Sequence, residues 1–284
     1  MQLKEVGMTA RRAFTLIEVM VATVVMLILF GLVIQITSHV LNAWHRTSGR
    51  LSANAEARIA MDRLTQDLQT AVVRADGLQW LRVEGPLDLA GVYSGQTVAL
   101  KLFAPTLDRP SNRLGSICAI GYRLAFKASY VQGPKTYALY RKVVDPDRTF
   151  HELLGQSKQG ELSGGEWSDA SILADSNYLA ANIIDFNVFI YARDGNTFAL
   201  NDTNADGRID GDFVYGGAEA PQAAHGVALS YAEIVLTVIS DRGLELLQLL
   251  AKGASGSGYS DPADVVREHA KQLTRRVAFP AQPL

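Results

Sequence analysis

The chain has 284 residues, which is enough for one large domain or two small ones. Its 27 Lys and Arg residues nearly balance its 29 Asp and Glu residues, so no overall charge favours nucleic acid or an acidic ligand. Cys118 is the single cysteine, which excludes an intramolecular disulfide and a metal site built from several thiolates.

An apolar segment near the N-terminus, residues 14–36, carries one charged side chain, Glu18. The segment is longer than the apolar region of a secretory signal peptide, which has about 7–15 residues, and it meets the roughly 20 residues that a bilayer-spanning helix needs. Basic residues precede it at Lys4, Arg11 and Arg12, so the positive-inside rule keeps the leader in the cytoplasm and the rest of the chain outside. The segment therefore predicts a single-pass membrane anchor.

Glu18 needs an explanation that a plain anchor does not supply. A carboxylate in an apolar membrane segment costs roughly 3 kcal/mol or more, so it requires a cationic partner or a proton. The sequence around it reads Arg11-Arg12-Ala13-Phe14-Thr15-Leu16-Ile17-Glu18-Val19. This sequence resembles the prepilin cleavage and methylation signature of type IV pilins and type II secretion pseudopilins.

The resemblance implies a processing step and an assembly role. A prepilin peptidase of the inner membrane is expected to cut between Ala13 and Phe14 and to methylate the new Phe14 amine. Glu18 is expected to neutralise such an amine, on its own chain or on a neighbouring subunit, during assembly. The chain departs from the family at Ala13, where glycine is usual, and either Met1 or Met8 can be its start.

The same resemblance predicts four segments. They are a cleaved leader, 1–13, a transmembrane half of a helix, 14–38, an amphipathic half, 39–74, and a β-rich periplasmic domain, 75–284. Apolar residues recur at helical spacing in the amphipathic half, which predicts one helix over 14–73 that packs on the following domain through this stripe. Its members are Leu51, Ala55, Ile59, Leu64, Leu68 and Val72.

Beyond the helix the apolar pattern changes to a period of two, which is typical of β-strands. The pattern predicts strands at 97–104, 117–127, 136–144, 183–192 and 228–240. Residues 139–142 are predicted to pair antiparallel with 121–124, residues 156–171 and 199–225 to form loops, and residues 261–277 to form a helix. The predicted fold is α+β and pilin-like: a long N-terminal helix packed on an antiparallel sheet, with a short C-terminal helix.

The order of motifs in the β-rich part resembles the J-type minor pseudopilin of type II secretion. The motifs are Tyr-Arg-Leu at 122–124, Leu-Tyr-Arg at 139–141 and the strands at 183–189 and 233–238, while residues 273–277 resemble a related pilin-like group of Verrucomicrobia. This resemblance implies a structural subunit at or near the tip of a periplasmic filament, with other minor pseudopilins or pilins as partners. Two alternatives stay open, a minor pilin of a type IV pilus or DNA-uptake system and a membrane-tethered, calcium-dependent binding module.

Residues 202–212 have the pattern of a calcium loop. Side-chain oxygens stand at loop positions one, three, five and nine, glycine stands at position six, and such an alternation aims hard oxygen ligands at one point. The candidate ligands are Asp202, Asn204, Asp206, the backbone carbonyl of Arg208, Asp210 and Asp212. The usual glutamate of position twelve is absent, so Asp212 is the candidate to complete the shell, and a solvated turn is the alternative to a Ca²⁺ site.

No pattern in the sequence indicates catalysis. The five histidines are scattered without zinc-like spacing, and no phosphate-binding glycine loop is present. We therefore expect a structural protein and not an enzyme.

Overall fold

The protein is described here by a computed structural model. It describes residues 15–74, 78–89, 91, 93, 95–109, 115–128, 135–154, 165–193, 199–216, 227–253 and 258–280. The chain divides into two units, one up to Ser48 and one from Gly49 to Leu284. The predicted cleavage residues, Ala13 and Phe14, lie outside the described residues.

The long helix expected from the sequence is present as α1, Leu16–Gln69, with 54 residues. Within the second unit its buried stripe is not the one predicted. Leu64 and Leu68 are fully buried as expected, whereas Leu51 and Ile59 are exposed by 65% and 62%. The buried positions before Leu64 are small or flexible residues, Ala53, Ala57, Ala60 and Met61. Alanines let a helix approach a sheet closely, and the predicted stripe included the exposed Ala55 instead of the buried Ala53 and Ala57.

Nine described strands form one sheet. They are β1 (Leu81–Leu87), β2 (Thr97–Pro105), β3 (Ile117–Ala128), β4 (Lys135–Val143), β5 (Tyr178–Ala181), β6 (Ile183–Ala192), β7 (Phe213–Tyr215), β8 (Leu229–Ile239) and β9 (Ala270–Ala278). The order is β5-β4-β3-β2-β6-β8-β9, and β1 pairs with both β2 and β7. Neighbours are antiparallel except at the short parallel contact between β2 and β6, where Thr97 pairs with Phe186.

The predicted pairing of β3 and β4 is confirmed to the residue. Tyr122 lies opposite Arg141, and Arg123 lies opposite Tyr140. The five predicted strands are all present, and the bounds of β6 are those predicted. The sequence interpretation did not foresee β1, β5 and β7, which are short or interrupted.

The remaining helices are short and connect or cover the strands. They are α2 (Pro146–Arg148), which continues into a π-helical turn at Thr149–Leu154, α3 (Asp169–Ile172), α4 (Asp241–Ala251) and α5 (Pro262–His269). Single 3₁₀ turns occur at Gly165–Trp167 and Asp175–Asn177. The segments 156–171 and 199–225, predicted as loops, thus contain part of this helical cover and strand β7.

The C-terminal helix predicted for 261–277 is wrong beyond His269, because β9 begins at Ala270. Leu273 and Val277 are spaced by four, which suits one face of a helix and one face of a strand equally well. Pairing decides the outcome, since β9 forms a continuous antiparallel ladder with β8 from Ala270 to Ala278. Helix α4 was not predicted although it has a clear start, where Ser240 Oγ accepts from the Gly243 amide at 3.2 Å.

The two faces of the sheet bury different clusters. One face packs against α1 in the main core, which includes Leu64 and Leu68 of the helix with Leu100, Phe186 and Ile234 of the strands. The opposite face of β2 and β3 carries a smaller cluster that includes Trp80, Phe103 and Trp167. Trp167 lies directly on Gly121, where a Cβ would be 2.4 Å from the indole ring, so only glycine fits there.

A buried ion pair joins the last turn of α1 to the sheet. Arg141 donates from Nε to Asp67 Oδ2 at 2.7 Å and from Nη2 to Asp67 Oδ1 at 3.1 Å. The Tyr122 hydroxyl donates to the same carboxylate, and Arg141 also reaches Asp108 at 2.7 Å. Asp67 is 1% exposed, so its charge depends on these partners.

Candidate functional site

The N-terminal half of α1 is the most unusual surface among the described residues. Leu16–Leu41 form a 26-residue segment that is long and apolar enough to cross a membrane, and none of its most apolar stretch is buried within the structure. Large aliphatic side chains point outward throughout it. An exposed apolar surface of this size requires lipid or other helices around it.

Glu18 takes part in a reciprocal cap at the start of this helix. The Glu18 amide donates to Thr15 Oγ1 at 3.3 Å, and the Thr15 amide donates to Glu18 Oε2 at 3.4 Å. This is a capping box, in which a Thr at the N-cap and a Glu three residues later satisfy two otherwise free backbone donors. The carboxylate therefore lies at the positive end of the helix dipole, and Glu18 is four positions after Phe14 in the sequence. Its predicted pairing with a free amine concerns a group outside the described residues.

The predicted calcium loop is held at its base by the neighbouring strand. Asn201 is buried and bonds the backbone of β6 twice, accepting from the Ile190 amide at 3.1 Å and donating to the Val188 carbonyl at 2.8 Å. Ile209 is buried in the main core, and the Asp210 amide donates to the Asn201 carbonyl. Sequence reasoning missed Asn201, although a polar residue directly before the first acidic position was the available signal.

Within the loop the candidate ligands turn toward backbone amides. Asp202 accepts from the Gly207 amide at 2.9 Å and from the Asp206 amide at 3.2 Å. Asp210 accepts from the Thr203 amide and hydroxyl at 2.7 and 2.6 Å, and these bonds lower the pKa of its carboxyl group. Gly207, at the sixth position of the loop, has a φ of +80°. Glycine adopts this value without strain, so Gly207 allows the sharp turn of the loop.

The other candidates divide into two groups. Asn204 accepts from the Asp206 amide at 3.0 Å, and the Arg208 amide donates to Asp206 Oδ1 at 2.9 Å, so both positions belong to the loop's own network. Asp212 instead contacts β1, where it accepts from Arg82 Nη2 and from the Gly85 amide, each at 3.0 Å.

Asp212 thereby joins a charged chain along the sheet. Arg82 also pairs with Glu84 at 2.9 Å, and Glu84 pairs with the buried Lys101 at 2.6 Å. Burial lowers the pKa of Lys101, and its bond to Glu84 acts in the opposite direction.

Across the described residues, no three or more His, Cys, Asp or Glu side chains are placed to hold a metal ion together. To bind calcium, the carboxylates of the loop would have to replace the backbone amides that they now contact by the ion. Calcium binding stays a prediction.

Comparison with known proteins bears on the N-terminal segment. A family model of the prokaryotic N-terminal methylation motif matches residues 8–34, which confirms the prepilin-type motif recognised around Glu18. Among solved structures, a type IV-like pilin from Thermus thermophilus is similar over 80% of this chain and 96% of its own, with 12% sequence identity and a TM-score of 0.35. No curated protein matches the chain.

Proposed function

We propose that this prepilin-motif protein is a minor pseudopilin, a structural subunit at or near the tip of a type II secretion-like filament. The observation that carries the proposal is the coincidence of two features. The methylation motif at 8–34 overlaps the exposed apolar helix Leu16–Leu41, so the signal for processing and a surface that needs helical partners occupy one segment. Other minor pseudopilins or pilins are the proposed partners.

In this proposal the chain is inserted in the inner membrane through α1, with its C-terminal unit in the periplasm. A prepilin peptidase cuts between Ala13 and Phe14 on the cytoplasmic side and methylates Phe14. The charged amine then lies next to Thr15, and Glu18 is the described carboxylate nearest in sequence to neutralise it. A place at the tip is favoured because the unit from Gly49 to Leu284 is bulky for a tightly repeating shaft.

The first experiment determines the N-terminus of the protein purified from its native membrane, by mass spectrometry. The proposal expects a methylated Phe14. An intact leader, or cleavage beyond the apolar helix, would contradict it.

Two substitutions at Glu18 separate its charge from its capping role. Glutamine can replace glutamate in a capping box, so Glu18→Gln keeps the helix start and removes the charge, whereas Glu18→Ala removes both. If Glu18 neutralises an amine during assembly, both variants insert in the membrane and are cleaved, and both fail to enter filaments. Normal assembly of Glu18→Gln would show that the carboxylate serves only as a cap.

The alternatives predict different phenotypes. If the protein is a minor pilin of a type IV pilus or DNA-uptake system, its deletion is expected to abolish pili or transformation and to leave secretion unchanged. A membrane-tethered binding module gives an uncleaved N-terminus and no dependence on Glu18. The pseudopilin proposal expects reduced secretion in the deletion strain, restored by the wild-type gene and not by the Glu18→Gln variant.

A further inference from the structure

Strand β9 is the last strand at one end of the sheet, and one of its edges has no neighbouring strand among the described residues. It pairs only with β8, over its whole length from Ala270 to Ala278. The pairing contains no bulge, and the strand contains neither proline nor glycine. Exposed edges are normally short, interrupted or covered, because their unpaired main-chain groups attract other strands. An uninterrupted edge of nine residues is therefore suited to receive a further strand.

The hydrogen bonds at the two ends of the ladder show which main-chain groups point to this open edge. The Ser240 amide donates to the His269 carbonyl, and the Phe279 amide donates to the Ser230 carbonyl, each at 3.1 Å. In an antiparallel pair, residues that bond the partner strand alternate with residues whose main-chain groups point away from it. Because His269 and Phe279 both bond the partner strand, the odd-numbered residues between them also face β8. The even-numbered residues of β9 point outward.

Four residues of β9 thus present both their amide and their carbonyl groups to the open edge. They are Gln272, Thr274, Arg276 and Ala278, and all four are exposed. The remaining even-numbered residue, Ala270, donates its amide to the Val266 carbonyl at the end of α5. Within the part of the chain that the structure describes, the outward main-chain groups of the four form no hydrogen bond. A row of such groups is what an extended peptide uses in β-strand addition.

The side chains of β9 make this edge basic. The strand carries Lys271, Arg275 and Arg276 and no acidic residue. Arg275 and Arg276 are paired with Asp62 and Glu233, whereas Lys271 is exposed and forms no ion pair with any described residue. Basic side chains on an edge disfavour pairing with a second copy of the same strand and favour a strand that carries acidic side chains.

A cavity of about 170 Å³ lies at the beginning of β9, next to α1. Its walls include Asn54 of α1, Ser240 just after β8, Glu268 and Lys271. The Tyr259 hydroxyl donates to Glu268 at 2.6 Å, so Lys271 is the charged wall residue that is left for a ligand. In strand addition the main chain supplies affinity, and pockets beside the edge select side chains. This cavity therefore suits an acidic side chain of the added strand.

We propose that the open edge of β9 binds an extended, acidic segment of a partner protein as an added strand, with one acidic side chain beside Lys271. The outward amides and carbonyls of β9 hold the main chain of the segment, and Lys271 distinguishes acidic from basic sequences. The proposal goes beyond the structural role proposed above and does not depend on it, because it concerns the sheet and not the apolar helix.

The test measures binding of fluorescent peptides to the full chain in a nonionic detergent, by fluorescence anisotropy. The probe is a peptide of about nine residues, the length of β9, in which valine alternates with aspartate. One control has lysine in place of aspartate, and the other is the acidic peptide with methylated backbone nitrogens at its central residues, which cannot form a ladder. The probe is expected to bind about tenfold more tightly than either control, or better. Equal binding of the acidic and the methylated peptides would mean charge attraction only and would overturn the proposal.

Thr274→Pro tests the edge in the protein itself. Because the Thr274 amide points away from β8, proline removes an outward donor and leaves the ladder with β8 in place. Thr274→Val keeps the amide and is the matched control. The proline variant is expected to bind the acidic probe about tenfold more weakly, and the valine variant to change binding by about twofold or less. Undiminished binding by a folded Thr274→Pro variant would contradict strand addition, and the methylated peptide decides the same question on the wild type.

Lys271→Gln tests the preference for acidic sequences. This variant is expected to bind the acidic probe about fivefold more weakly and to discriminate less between the acidic and the basic peptide. Lys135→Gln, which removes an exposed charge at the start of β4, is the matched control and is expected to bind as the wild type does. If Lys271→Gln keeps the full preference, or if both variants lose it equally, the acidic partner is excluded.

Discussion

Asp67 illustrates how one side chain can connect the helix to the sheet. Its carboxylate is enclosed and is held by Arg141 and Tyr122, and burial together with this carboxylate raises the pKa of the Tyr122 hydroxyl well above its ordinary value. Removing Asp67 would leave the buried Arg141 with the partly exposed Asp108 as its charged partner and the Tyr122 hydroxyl without its acceptor, which is costlier than the pair is stabilising. The helix end is therefore positioned by a polar network as well as by apolar packing.

The first prediction follows from this pair. Asp67→Ala is expected to lower the free energy of unfolding by about 3–5 kcal/mol, measured by urea denaturation of the full chain in detergent. The matched control is Asp62→Ala on the same helix, whose exposed pair with Arg275 should contribute about 1 kcal/mol or less. Similar losses in the two variants would refute the role given to the buried pair.

A pH effect is expected from Asp108. Burial by itself would raise its pKa, but the Thr106 hydroxyl and the charges of Arg141 and Arg63 lower it overall. A carboxyl group with a lowered folded pKa stabilises the protein above its unfolded pKa, near 3.9, and this contribution is lost as the pH falls through the folded value. The wild type should therefore lose more stability between pH 5 and pH 3 than Asp108→Asn does, by about 1 kcal/mol or less since the group is partly exposed. Parallel pH profiles of the two proteins would contradict the assignment.

At the scale of elements, α1 is a helix whose buried contact is made partly by alanines. Ala57 is fully buried and packs with Ala53 against Val238 of β8, while Ala55 is exposed. The helix can lie close to the strands only because these side chains are small.

This packing predicts effects of different size for the same substitution at two positions two residues apart. Ala57→Leu is expected to destabilise the protein by about 1–3 kcal/mol through overpacking. Ala55→Leu adds the same atoms to an exposed position and should change stability by about 0.5 kcal/mol or less. Chemical denaturation of both variants measures the contrast, and equal effects would mean that the buried face of α1 is assigned wrongly.

The loop at 202–212 gives the fourth prediction. Calcium at ten times its dissociation constant should stabilise the wild type by about 1.4 kcal/mol, seen as a rise of a few degrees in the unfolding midpoint. The double variant Asp206→Asn with Asp210→Asn should show no rise, and a rise that persists there would exclude the loop as the site. Asp212→Asn decides the role of the last carboxylate. A retained shift assigns Asp212 to the contact with β1, and a lost shift assigns it to the ion.

At the scale of the whole molecule, the sequence predicted what local patterns control. The methylation motif was recognised by its resemblance to a known family, whereas the long helix and the pairing of Tyr122 with Arg141 follow from apolar length, helical spacing and a period of two. A spacing of four residues between apolar side chains, as between Leu273 and Val277, is compatible with both a helix and a strand. The sequence pattern alone could not distinguish the two, and β9 was therefore predicted as a helix. The contacts of the buried Asp67 were beyond reach, because only the fold brings Arg141 and Tyr122 to the end of α1.

The pairing of β9 has a consequence for the order in which the molecule is built. Arg275 in this last strand contacts Asp62 in the first helix, across 213 positions of sequence. Contacts so distant in sequence form slowly and only after loop closure has cost its entropy. During synthesis the main-chain groups of β8 that pair with β9 stay unpaired until Ala270–Ala278 has been made. A chain cleaved before Ala270 would therefore expose the edge of β8 to aggregation, so the solubility of the protein depends on the pairing of Ala270–Ala278.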